Sequence, residues 1–529
     1  MRSKSRHLSL ALAVGLGLTL ALLWLVGYTQ PASADSGILY VALDGDDAQD
    51  CASIADRCQT IQRAVDVAQS GDEIRVGAGV YTGVITRAGI TQMVYISTTV
   101  TIQGGYTTTN WTTPNPTANL TTLNAEGQGR VIYITGDISP IVDGLRITAG
   151  NATGMGGGPW GEDAGGGVYI SRATPIISNC MIHNNTASTT ANGSGGGLLL
   201  EGSRATLSGN TVVSNTASIA SHGHGGGLFL YGSSATLHNN TVQDNSASTA
   251  GWGYGGGLYL LTSDAELNNN TVVGNTAGTT NRGYGGGLYI WYSDATLSGN
   301  SVQGNTASAT EQGYGGGLSL SNSNATLGGN TIVSNTATLN ASIGKGGGLW
   351  VWESDLFTLT NNLVADNHAH TAGSGLWLSG TSINTSLGRL LHNTIADNHG
   401  SGQGIFVSEY TTLAFTNTII AGHHSAGINV TTGSAVTLEA TLWHNNGPDT
   451  AGGGTVISST NVTGNPAFAN PAAWDYHLTA SSAAIDRGVD ASVSTDLENN
   501  IRPIGRPDLG AYEWGTQIYL PVMLHNYEP

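Results

Sequence analysis

The chain has 529 residues, of which about a tenth are charged where about a quarter is usual, and its 78 glycines are roughly twice the ordinary share. A formal net charge of −18 repels phosphate backbones and anionic lipid, which excludes nucleic-acid binding and polybasic membrane attachment. Disorder is excluded too, because 39% of the chain is hydrophobic and its Val, Ile, Leu and Tyr recur at regular spacing.

Arg2, Lys4 and Arg6 precede an apolar run from Leu8 to Val26, and Pro31-Ala32-Ser33-Ala34 follows. This is a secretory signal layout over 1–34, with A-x-A small residues placing cleavage before Asp35. A run of that length also suffices as a retained anchor, so cleavage and anchoring remain the two alternatives. The expected location is extracellular, secreted or at the surface of a bacterial cell, with no membrane insertion after cleavage. Cys51 and Cys58 lie close together in a polar stretch, within reach of a local disulfide in an exported protein, which leaves Cys180 as a buried, inert thiol. Residues 35–73 are assigned to an N-terminal cap. In it, Ile61, Ala64, Val65 and Ala68 share one face of a short helix suited to lidding the end of a larger structure.

From Gly165 the triplet GGG recurs every 30 residues, at Gly195, Gly225, Gly255, Gly285 and Gly315, and again at Gly346. Between triplets, three short alternating runs are separated by Gly, Ser, Asn and Asp, which is strand-and-turn punctuation. Val168, Leu198, Leu228, Leu258, Leu288, Leu318 and Leu349 form one aliphatic column, and Ile170, Leu200, Leu230, Leu260, Ile290, Leu320 and Val351 a second. The next strand supplies Leu207, Leu237, Leu267, Leu297 and Leu327, and the third Val212, Val242, Val272, Val302 and Ile332. One coil cannot bury three aliphatic sides by itself, but stacked copies can. The expected fold is all-β: a parallel β-helix of about a dozen three-strand coils over 74–468, regular over 165–348, closed at its far end by the non-repetitive sequence after Asn465.

Two asparagine columns fit such stacking. One holds Asn210, Asn240, Asn270, Asn300 and Asn330, the other Asn215, Asn245, Asn275, Asn305 and Asn335. They are read as structural ladders in which Asn occupies left-handed turn positions and each amide bonds its equivalent one coil away.

The opening YVALDGDDAQDCASIADRCQTIQRAVDVAQSGDEIRVGAGVYTG resembles exported right-handed β-helix proteins of the pectin-lyase-like superfamily, and VDGLRITAG is similar to their repeat. The GGGLYL units with NTVVSNTA are also similar to polymorphic outer-membrane protein repeats. In 469–516, Ala484-Ile485-Asp486, Asp496, Asn500, Arg502-Pro503 and Asp508-Leu509-Gly510-Ala511-Tyr512-Glu513 resemble the choice-of-anchor Q domain, and 517–529 resembles tails of exported bacterial proteins. These resemblances imply a right-handed coil, export and an anchoring or sorting module. They do not imply an activity, because the superfamily contains lyases, hydrolases and noncatalytic adhesins. The chain also lacks the paired-Asp and RIK-type motifs of the enzymes: Arg146-Ile147-Thr148 has no lysine.

Between the two aliphatic columns of the GGG strand lies an outward one: Tyr169, Leu199, Phe229, Tyr259, Tyr289, Ser319, Trp350 and Trp377. The next outward position adds Trp291 and Trp352, and the approach to GGG adds Trp252, Tyr254, Tyr284 and Tyr314. Aromatic rings suit the apolar C–H faces of sugars. They also suit stacking on one another beneath the loops before each GGG. Tyr259, Tyr289, Trp291, Trp350, Trp352 and Trp377 are the candidate ligand residues, with a polysaccharide or cell-surface glycan as partner. Asp264, Glu266 and Asp294 are weak candidates for Ca²⁺, since a hard-cation site usually takes six or more oxygens; solvated carboxylates need no cofactor. The paired histidines His222/His224, His368/His370 and His423/His424 read as solvated loop residues. The expected function is a noncatalytic, adhesin-like surface rod. A polysaccharide lyase or glycoside hydrolase using Asp264, Glu266 and Asp294 is the enzymatic alternative, and a structural spacer or sheath component the third.

Overall fold

The computed structural model describes residues 37–340, 343–502 and 505–515, so the signal segment and the tail lie outside the described residues. Among the described residues no helix is long and apolar enough to cross a membrane.

The chain coils into a right-handed parallel β-helix with three long sheets of 15, 14 and 14 strands. There are more coils than the dozen expected, because strands begin inside the cap segment. Ile38–Val41 already pairs in parallel with Glu73–Gly77. The rod is about 65–70 Å long at the usual strand spacing. Register holds from coil to coil at the 30-residue period, for example Leu258 on Leu288 and Leu260 on Ile290. Each aliphatic column is therefore an unbroken stack, and its members are exposed by no more than 2%. The helix Ile61–Val67, capped by the Thr60 side chain on the Arg63 N–H, sets Ile61, Ala64 and Val65 into the N-terminal end of this core.

The segments expected to be loops before each GGG are two further parallel sheets. One has six strands, from Thr186–Ser188 to Thr336–Thr338, and the other seven, from Asp163–Ala164 to Gly344–Lys345. The GGG triplet joins this layer to the third long sheet. Its first glycine sits at φ 61–67°, and a Cβ at Gly255 would lie 2.1 Å from the Leu258 carbonyl oxygen. No side chain fits there.

Both asparagine ladders form. Asn270 donates its Nδ2 to Asn300 Oδ1 at 3.0 Å and to the Leu237 carbonyl at 2.9 Å, and its backbone N–H meets the same Oδ1 at 2.9 Å. Asn245 repeats the pattern on Asn275. The left-handed turn residue, however, is the one before each ladder Asn, such as Asn239 or Ser214, and not the ladder Asn itself. A ladder side chain must point inward, so its neighbour carries the turn. A third ladder, of serines, was not foreseen: Ser203 N–H donates to Ser233 Oγ, and Ser233 N–H to Ser263 Oγ.

The C-terminal segment does not close the far end. It runs back along the outer face of the second sheet, where Tyr476, Leu478, Ala484, Leu509 and Ala511 pack on Val333, Leu363, Ile419 and Leu442. The last strand of the first sheet, Thr455–Ser459, stays exposed. The motif residues of this segment converge on Arg502, which is buried 3.1 Å from Glu513 and donates to the Asp508 and Gly510 carbonyls and to His392. Cys51 and Cys58 are joined in a disulfide, with Cα atoms 4.9 Å apart. Cys180 is free and buried, and burial pushes its thiol up to about 12.

Candidate functional site

Alternation along the third sheet points Tyr259, Tyr289 and Trp350 away from the aliphatic core, but outward here does not mean into solvent. The added seven-stranded sheet lies beside this face and contributes its own tyrosines, so the ring column is covered. Tyr259 is 1% exposed, and Trp350 and Trp377 are each 6% exposed. Phe229, Tyr259 and Tyr289 stack at 4.8 and 5.0 Å, and Tyr254, Tyr284 and Tyr314 form a parallel stack at 5.3 and 4.9 Å. In both columns the ring faces are used on one another, as offset stacking favours. The reading of Tyr259, Tyr289, Trp350 and Trp377 as open platforms is therefore corrected: their faces are largely buried by neighbours.

Between the two columns a cavity of about 640 Å³ opens along the rod. Of the candidate residues, Tyr259, Tyr289, Trp291, Trp350 and Trp352 line it; Trp377 does not. Trp377 stacks behind Trp350 at 5.6 Å and carries the Lys345 ammonium 4.6 Å above its ring. The rims supply the accessible rings. Trp352 is 36% exposed, Trp252 is 38% exposed with the Arg282 guanidinium 4.9 Å over it, and Trp160 is 56% exposed.

The charged wall of the cavity was missed in the sequence. Glu162 is buried there, 3.0 Å from His224 Nδ1, and its Oε1 accepts the Ser194 hydroxyl at 2.6 Å. Burial pushes this carboxyl up, but the hydrogen bonds from His224 and Ser194 outweigh it and hold Glu162 below its usual value. His224 also stacks on Tyr254 at 5.1 Å. It is not a solvated loop residue. His222 is one, exposed in the loop before Gly223–His224, where its Nδ1 accepts the Trp252 backbone N–H. His423 is buried as well, within the second ladder. The signal that distinguishes His224 is its column position: it occupies the place of Tyr254, Tyr284 and Tyr314 in earlier register.

Asp264, Glu266 and Asp294 lie outside this cavity. Asp264 Oδ1 accepts the Asp294 backbone N–H at 2.9 Å and Asp294 Oδ1 accepts that of Asn324 at 3.1 Å, so this column caps a turn from coil to coil. Among the described residues no three His, Cys, Asp or Glu side chains are grouped to hold a metal ion.

A family model for the right handed beta helix region matches residues 128–307 and 295–446. No curated protein matches the chain in sequence. Among solved structures, it is similar to pectate lyase Pel9A (12% identity, 92% of this chain and 98% of that one, TM-score 0.34) and to XylC in complex with xylose (10%, 90% and 98%, TM-score 0.41). It is also similar to the catalytic domain of a GH87 alpha-1,3-glucanase (13%, 82% and 71%, TM-score 0.37). Likeness at this level carries no argument about activity. With its family match spanning more than half the sequence and its aliphatic coils stacked in register, the chain belongs to the right-handed β-helix family.

Proposed function

We propose that the protein is an exported, noncatalytic rod that binds a polysaccharide or cell-surface glycan in the aromatic cleft of its third sheet. The observation that supports this most is the cavity itself, about 640 Å³ walled by aromatic rings, with Trp252 and Trp352 open at its rims and, among the described residues, Glu162 as the one carboxylate lining it. Apolar walls with a few fixed polar groups suit a ligand that is apolar on its ring faces and polar on its edges. The test is retention of the chain from Asp35 onward on a panel of immobilised neutral and acidic polysaccharides. At least one should retain the protein, and Trp252→Ala with Trp352→Ala should weaken that retention at least tenfold; failure of every polysaccharide to retain it removes the reading. Recovery of a surface or culture-fluid protein whose N-terminus is Asp35 tests export.

A polysaccharide lyase or glycoside hydrolase is the second reading, favoured by the pair Glu162–His224 on the cleft wall; Asp264, Glu266 and Asp294 lie outside the cleft. New reducing ends or unsaturated uronates released from the retained polymer, and lost in Glu162→Gln, would establish catalysis in place of binding alone.

A further inference from the structure

The two ends of the rod differ. At the N-terminal end the outer edge of the first strand, Ile38–Val41, is taken. Tyr40 N–H donates to the Cys51 carbonyl at 2.9 Å, Ala42 N–H to the Cys58 carbonyl at 3.0 Å, and Cys58 N–H to the Tyr40 carbonyl at 2.9 Å. The Cys51–Cys58 disulfide closes this covering loop, and the helix Ile61–Val67 lids the core beside it.

At the other end Thr455–Ser459 is last in the first sheet and, among the described residues, pairs with Ala435–Glu439 alone. All of its residues are exposed. Thr455 N–H donates to the Ser434 carbonyl at 3.0 Å, and the Ser459 carbonyl accepts the Ala440 N–H at 3.1 Å, both toward the rod. Alternation along the strand therefore turns the N–H and C=O groups of Val456 and Ser458 to the free side. The core is open here as well. Val456 stands in register on Val436, which is 1% exposed, yet is itself 36% exposed, and Ile457 is 59% exposed. An unpaired edge with exposed apolar side chains is a template for another strand.

We propose that this end is an interface between two copies of the chain, joined by antiparallel pairing of Thr455–Ser459 with itself. A two-fold axis at Ile457 sets Val456 opposite Ser458 of the second copy, so the groups that face the free side exchange both bonds, twice by symmetry. The same pairing covers Val456 and continues the core across the junction. Charge does not oppose it: no Asp, Glu, Lys or Arg occurs from Thr450 to Trp474, in a chain whose net charge is −18. The C-terminal arm leads away from the edge. Gly510 N–H bonds the Asn417 carbonyl, and the next residue, Ala511, bonds Thr394 Oγ1 in the preceding coil. The apolar run that follows in the sequence, Ile518 to Leu524, is interrupted by Pro521, which has no N–H to give a sheet edge. Because the N-terminal ends are covered, assembly stops at two copies. The joined rod is about 130–140 Å long and carries an aromatic cleft on each half. The pairing does not depend on what the cleft binds.

The chain from Asp35 onward, followed by sedimentation equilibrium and small-angle X-ray scattering over a hundredfold range of concentration, should form a dimer with about twice the maximum dimension of one rod. Ile457→Lys sets two like charges against each other at the two-fold axis and should weaken the dimer at least tenfold with its circular dichroism unchanged. In Ile457→Cys the two thiols meet at a non-hydrogen-bonded pair, Cα atoms about 4.5 Å apart and within disulfide range. It should cross-link to its own copy under mild oxidation at least tenfold faster than Ile383→Cys, placed at a residue 90% exposed elsewhere on the rod. If Ile457→Lys does not fold, the cysteine variant reads the same contact. A monomer at every concentration overturns the proposal, as does a dimer of single-rod length or one that Ile457→Lys leaves unweakened. In a monomer, slow amide exchange at Val456 and Ser458 would show that the chain's own tail holds the edge instead.

Discussion

Glu162 and His224 come from coils two repeats apart, yet their side chains meet at 3.0 Å on the cleft wall with Ser194 between them. The fold holds the Glu162 carboxyl below its usual 4.5. A depressed acid contributes stability that is full above its unfolded value and is lost as pH falls through the folded one. Melting temperature should therefore drop between about pH 5 and pH 3 more steeply in the wild type than in Glu162→Gln. At neutral pH the substitution should cost about 1–3 kcal/mol, because His224 loses its charged partner. Parallel pH profiles for the two proteins would contradict this.

His423 occupies a position of the second ladder, with Nε2 3.3 Å from Asn398 Nδ2 and Nδ1 3.1 Å from Asn446 Oδ1. The amide assignments require a neutral ring that accepts at Nε2 and donates at Nδ1. Burial pushes its pKa down to about 4 from 6.5. Its contribution is present above pH 6.5 and is lost as pH falls toward 4, worth about 3 kcal/mol when complete. His423→Asn should continue the ladder and flatten this part of the acid profile in denaturant titrations. An unchanged profile between pH 6.5 and 4 would show that the ring does not titrate with folding.

Arg502 ties the C-terminal arm to the rod through His392 and pairs with Glu513 inside the arm. Breaking a buried pair by removing one partner costs about 3–5 kcal/mol. In Arg502→Met, amides of residues 474–512 should exchange faster by at least a hundredfold, while those of the coils over 228–333 stay protected. Equal acceleration in both regions would mean that arm and rod unfold as one unit.

The tryptophans divide by burial. Trp350→Ala and Trp377→Ala remove rings from a packed stack and should cost about 3–5 kcal/mol each. Trp252→Ala and Trp352→Ala act at the rims, where each ring is more than a third exposed, and should cost less, about 1–2 kcal/mol. Thermal melts of the four variants separate the groups. A polysaccharide-binding defect in the first pair counts only if the protein is folded at the assay temperature.

The coils, ladders, disulfide and end helix were legible in the sequence because each depends on short-range alternation repeated in an identical environment. Leu258 needs only Leu228 and Leu288 as neighbours, and the period supplies both. Strand alternation says that Tyr259 points away from the core, but it carries no information about a second layer above it. The two short sheets were hidden for that reason, since Thr-Ala-Ser and Gly-Tyr runs are too brief to show a period of their own.

What the sequence by itself determined is the solenoid: aliphatic positions at a fixed repeat can be buried only by stacking, and stacking sets register, core and ladders together. Tertiary structure alone decided which aromatic rings are covered and that Glu162 meets His224. It also decided that the last segment lies along the rod and not across its end. These depend on how the outer layer and the arm close over the coils in three dimensions, a packing of distant side chains that no local periodicity encodes.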